Sequence, residues 1–98
     1  MTGPTVRQLE PGVVFARAAA FRGVEDRLLF DLQHRRRDVT SARRLAVIIF
    51  RLDERTYEWI AERLGAPHHS MPRWLVTSAS QLDIETAKVL YQELKEER

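Results

Sequence analysis

The chain contains no cysteine. Disulfides and thiolate metal sites are therefore excluded, and a reducing compartment suits the composition. Histidine is scarce as well. His34 stands alone, and His68 and His69 are neighbours that would point in different directions on a helix, so they offer no i, i+4 chelating pair. No metal and no other cofactor is expected. No stretch of about 18 uncharged apolar residues occurs, and the opening "MTGPTVRQLEPG" lacks a charged-then-apolar leader pattern. The expectation is a cytoplasmic protein without membrane contact. A phosphate-binding loop of the G-x-x-x-x-G-K-[ST] type is missing too, which argues against ATPase activity. Carboxylates are present, but Glu58 and Glu62 sit i, i+4 like a solvated helix face that Arg55 or Arg63 could neutralise. No Ser, His and Asp group falls together, and no enzyme is expected.

What the chain does have is arginine. Fourteen of its sixteen basic residues are Arg, whose planar fork suits phosphates and narrow grooves. The net charge is only +2, yet residues 1–51 hold ten Arg against five acids, while residues 52–98 hold six basic residues against nine acids. Basic charge peaks in "HRRRDVTSARR", His34 to Arg44. The bland reading of such a run is a solvated face. With 98 residues, 44% of them apolar, the chain can build one core and has no room for a second.

No alternating apolar and polar run bounded by turn pairs is present, so the fold class is all-α, with about six helices. Residues 1–12 read as a flexible arm. "VVFARAAAFR" is a first helix with Val14, Ala18 and Phe21 on one stripe and Gly23 as its stop. "VEDRLLFDL" follows as a short helix with Leu28, Leu29 and Leu32 inward, and "QHRRRD" is a loop. Thr40 or Ser41 would cap the next helix, residues 41–52, where Leu45, Ile48, Ile49 and Leu52 mark the central core element. Thr56 caps "YEWIAERL", Gly65 closes it, and a further helix runs from Ser70, its N-cap, to Ala79, with Pro72 tolerated in the first turn. Trp74 and Leu75 are expected to face the core. Ser80 or Asp83 starts a C-terminal helix whose Ile84, Ala87, Tyr91 and Leu94 form an apolar seam over residues 81–98, packed on the same domain.

A basic loop, a core helix, a short helix, a Gly-containing turn and a second helix stand in the order of a helix-turn-helix, whose second helix enters the major groove. The run "RRRDVTSARRLAVIIFRLDERTYEWIAERLGAPHHSMPRWLVTS" resembles the C-terminal DNA-binding domain of the bacterial replication initiator DnaA, a Trp-repressor-like helix-turn-helix. The resemblance covers residues 13–80. It implies that Arg35 and Arg37, with Arg36, form the basic loop, whose Arg enters the minor groove. It places Arg43 near the DNA backbone and Thr56 at a phosphate-holding helix start. His69 and Ser70 match the family's His and first Thr. Where the family has Arg, Asp, a second Thr and Val, this chain has Pro67, His68, Met71 and Pro72. Pro67 cannot make the Arg fork to guanine, a contact of about 1–3 kcal/mol. His68 and Arg73 are the candidates to take over base contacts.

The expected function is thus a stand-alone DNA-binding protein of altered specificity that regulates replication or transcription in a bacterium or phage. Its partner is double-stranded DNA. The alternative is an adaptor that keeps the fold and binds a protein partner. The state is a monomer, or a weak homodimer through the C-terminal helix.

Overall fold

Pro11 opens the first helix and Gly23 ends it. Helix α1 spans Pro11–Arg22, and the cap glycine adopts φ 71°, where its N–H and that of Val24 bond to the carbonyls of Ala20 (3.1 Å) and Ala19 (3.0 Å). The remaining elements are a 3₁₀ turn over Asp26–Phe30 and helices α2 (Arg37–Leu52), α3 (Tyr57–Leu64), α4 (Ser70–Thr77) and α5 (Gln81–Glu96). This is a computed structural model that describes residues 8–97. The all-α class holds, with no strand among the described residues.

Local chemistry explains most of the helix ends. Thr56 Oγ1 accepts the Trp59 N–H at 3.0 Å to start α3, and Gly65 stops that helix at φ 76°. Ser80 and Asp83 form a reciprocal capping box on α5, each contact 3.1 Å. Three boundaries differ from the sequence reading. Helix α2 begins at Arg37, so Thr40 and Ser41 lie inside it. Asp38 supplies the acidic first turn that favours this start, and its Oδ1 accepts the Val39 N–H at 2.8 Å. Helix α4 has His69 at its N-cap instead of Ser70, and Pro72 remains in the first turn, buried. Within the expected arm, residues 1–12, Leu9 is buried and α1 begins at Pro11, while residues 1–7 lie outside the described residues.

Helix α2 is the centre of the domain. Leu45 to Phe50 are buried without interruption, because α1, α3, α4, α5 and the 3₁₀ turn all pack around this helix. Edge-to-face rings tie the layers together: Phe30 to Phe15 at 4.7 Å, Phe15 to Phe50 at 5.1 Å, and Phe50 to Trp59 at 5.1 Å. Each such pair contributes about 0.5–1.5 kcal/mol beyond its buried area. Phe15 is thus the inward aromatic of α1. Phe21, expected on the inward stripe, is half-exposed, because the stripe turns through Val14, Phe15, Ala18 and Ala19.

The C-terminal seam is used inside the domain. Ala87, Leu90 and Leu94 are buried against α1 and α2, with Ile84 and Tyr91 packed at the edge. At the far end of α2, buried Asp53 gathers three partners: Oδ2 accepts the Leu9 N–H at 2.7 Å, while Oδ1 accepts Tyr91 Oη at 3.3 Å and lies 3.9 Å from Lys95 Nζ. The burial of this carboxylate is offset by those contacts. Among the described residues no helix is long and apolar enough to cross a membrane.

Candidate functional site

The two inward positions of α4 are Pro72 and Leu75, and they fix what faces out. Ser70, Arg73, Trp74 and Thr77 follow at i, i+3, i+4 and i+7 and are all exposed. The sequence reading placed Trp74 in the core; it is 57% exposed. In a helix of two turns, angular position relative to Leu75 decides the facing, and side-chain size does not override it. The outward stripe therefore carries a guanidinium, an indole and two hydroxyls, and no carboxylate.

The arginines around this stripe lie on aromatic rings. From the central helix, Arg44 lies over Trp74 (5.5 Å), donates Nε to the Leu75 carbonyl (2.9 Å) and Nη2 to Ser78 Oγ (2.9 Å). It thereby satisfies orphan groups at the C-terminal end of α4 with a cation of favourable sign. Two turns further along α2, Arg51 lies 4.3 Å from the Tyr57 ring centre, and Arg73 of α4 lies 4.8 Å from the same ring. Arg55 and Arg63 lie over Trp59 at 4.1 and 5.0 Å. Among the described residues none of these five is in an ion pair. A cation over a ring keeps its charge. Arg51 Nη1 also donates to the Arg55 carbonyl (2.7 Å) and Arg55 Nη2 to that of Leu9 (3.3 Å), each leaving further N–H groups for an anion. Sequence reading missed Arg44 and Arg51 as a set; their spacing of seven on a helix was the available signal.

The basic loop is divided by the structure. Arg35 reaches the α4 side, where it lines a cavity with Met71 and Trp74. Arg36 and Arg37 turn to a different depression shared with Arg22 and Ser41. Arg36 is also engaged by Asp38, with Nε to Oδ1 2.9 Å and Nη2 to Oδ2 3.1 Å. That hydrogen-bonded pair raises the Arg36 pKa and holds the Asp38 carboxyl below its ordinary value.

Arg43 is a correction. Expected beside the DNA backbone, it is 5% exposed, and it donates Nε to the Leu29 carbonyl (2.9 Å) and Nη2 to those of Leu28 (3.2 Å) and Asp31 (3.0 Å). Burial lowers its pKa and Asp31 acts in the opposite direction; an arginine remains charged under such shifts. Its task is to close the 3₁₀ turn onto α2: it supplies a donor to the Leu29 carbonyl and a second one to the Leu28 and Asp31 carbonyls, which also accept the Asp31 and His34 N–H groups.

Of the remaining candidates Thr56 stands at the start of α3, and His68 and His69 lie at the elbow between α3 and α4. Thr56 uses its oxygen as the α3 cap, which leaves the hydroxyl proton to donate. His68 Nδ1 accepts the Ser70 N–H at 3.1 Å, so the ring's proton sits on Nε2, and His69 stacks on His68 at 4.3 Å. Both histidines border a depression that Glu58 and Glu62 also line. Two carboxylates there oppose a phosphate and favour a cation or a water-filled edge. Among the described residues no group of three metal-ligating side chains comes together. Ser70 and Arg73 thus stand on the outward face of α4 and Arg35 on the cavity beside it, His68 and His69 precede that helix, and Thr56 sits at the start of α3. Arg43 reaches the same cavity only as a buried side chain turned to backbone carbonyls, and Arg36 and Arg37 face a different depression. No protein-family model, curated protein or solved structure matches the chain.

Proposed function

We propose that this chain binds duplex DNA, with α4 as the reading helix in the major groove. The observation that carries the reading is the outward stripe of Ser70, Arg73, Trp74 and Thr77, free of carboxylate and bordered by arginines held on rings. Arg73 has the fork that reads guanine, Trp74 offers an apolar face to a thymine methyl, and the two hydroxyls serve bases or phosphates. Arg35 and Arg51, both exposed, take phosphates on either side of α4. The likeness to the DnaA DNA-binding domain belongs to the same proposal, with specificity altered by Pro67, His68 and Met71. Its use would be to regulate replication or transcription, without ATP hydrolysis.

The test is fluorescence anisotropy with random-sequence duplexes over a salt series, followed by selection of bound sequences. Two phosphate contacts, from Arg35 and Arg51, give a log–log salt slope of about −1.8. Absence of binding at low salt would defeat the reading. That outcome would favour the second one, an adaptor for a protein partner, which draws on half-exposed Phe21 and Val89 beside α1 and α5.

A further inference from the structure

Between the loop that precedes α2 and the reading helix lies a cavity of about 360 Å³, within the size range of small-molecule sites. One wall is basic. It holds the exposed Arg35, the buried Arg43 and His34, whose buried Nδ1 has no hydrogen-bond partner, with the Thr40 side chain beside them. The other wall is apolar: Leu32, Met71 and Leu75, with the Trp74 indole at the rim. No acid lines the cavity. Among the described residues Arg35 has no ion-pair partner, while Arg43 is held by three backbone carbonyls and feels the charge of Asp31. An unpaired guanidinium on a cavity without acids favours an anion there, and an apolar wall facing it selects an anion with a carbon body.

We propose that this cavity binds a small organic carboxylate with a flat apolar body, the carboxylate on Arg35 and the body against Met71 and Trp74. Its occupation weakens DNA binding. Arg35 cannot fork a ligand carboxylate and a phosphate at once, and a negative charge placed behind α4 lowers the potential of its outward face. The coupling part rests on the DNA-binding reading; the binding part does not. Linkage makes the effect mutual, so DNA lowers the ligand's affinity by the same factor.

The experiment is an NMR titration of the full chain with 2-naphthoate. The chain has two tryptophans, and Trp74→Phe identifies which indole N–H signal belongs to Trp74. A saturable shift of the Trp74 signal is expected, with neither 2-naphthalenemethanol nor inorganic phosphate producing one. The exposed Arg35→Gln variant should bind naphthoate about tenfold more weakly or worse, as loss of a charge-assisted hydrogen bond requires. Absence of a saturable shift, an equal response to the uncharged alcohol, saturation by phosphate alone, or unchanged affinity in Arg35→Gln would each overturn the site. Saturating naphthoate should also raise the duplex Kd in the anisotropy assay, and an unchanged Kd would overturn the coupling. If the chain binds no DNA at all, the proposed function fails, while the naphthoate titration still decides the cavity on its own.

Discussion

The arginines of α1 and those around α4 are the same residue put to opposite uses. On α1, Arg17 donates to Glu93 (3.2 Å) and Glu97 (2.5 Å) of α5, and Arg22 lies 3.7 Å from Asp83. Those pairs bridge the first and last helices and neutralise each other. Around α4, Arg44, Arg51 and Arg73 rest on Trp74 and Tyr57. A ring orients the guanidinium without cancelling its field. Counting basic residues therefore says little about anion binding, and the identity of the neighbour says much more: a carboxylate closes the domain, whereas a ring leaves a cation ready for a phosphate.

Substitutions can break this contrast at several points. The largest loss of stability is expected from Arg43→Met, which removes three hydrogen bonds that tie the 3₁₀ turn and its exit to α2. A cost of about 2–4 kcal/mol should appear as a lower urea midpoint. Loss of DNA affinity with an unchanged midpoint would return Arg43 to the binding surface. Next comes Arg73→Ala, on the exposed stripe. Duplex affinity should fall by about 1–3 kcal/mol and sequence preference should relax, with stability held within about 0.5 kcal/mol. A stability loss that exceeds the affinity loss would make Arg73 a packing residue on Tyr57.

Arg17→Ala probes the other side of the comparison. Its ion pairs are partly exposed, so removal should cost at most about 1 kcal/mol, an amount that shrinks as salt is added, and duplex affinity should stay unchanged. A drop in DNA affinity would erase the distinction between the two sets. The smallest effect concerns pH. The Asp38 carboxyl is held below its ordinary value chiefly by Arg36. Its contribution is thus present above the unfolded-state pKa and is lost as pH falls through the lower folded-state value. Asp38→Asn should flatten that acid limb of the stability curve, measured by thermal unfolding in a pH series, and a steeper limb would contradict the assignment. The same variant frees Arg36 and turns the one carboxylate-paired loop arginine into an unpaired one.

How much of this was legible in the sequence depended on the range of the cause. Thr56, Gly65 and Ser80 act through neighbours three residues away or closer, and the helix ends they set were readable. The centrality of α2 followed from its unbroken apolar content. Trp74, Phe21 and Arg43 were misplaced, because their facing depends on which helices pack where. Arg43 is separated from its carbonyl partners by twelve to fifteen residues, and Arg44 from Leu75 by thirty-one. Of the candidates named from the resemblance and from residue order, Arg35, Ser70 and Arg73 stand at or beside α4. The ring partners of Arg44 and Arg51 were not, because they come from separate helices brought together by tertiary packing.

Asp53 has a consequence for how the domain comes apart. One carboxylate holds residue 9 by its amide and residues 91 and 95 by their side chains, at the end of the helix on which everything else packs. Segments far apart in sequence are thereby tied to a single knot, so neither the lead-in to α1 nor the last turns of α5 can peel away alone without stranding a buried charge.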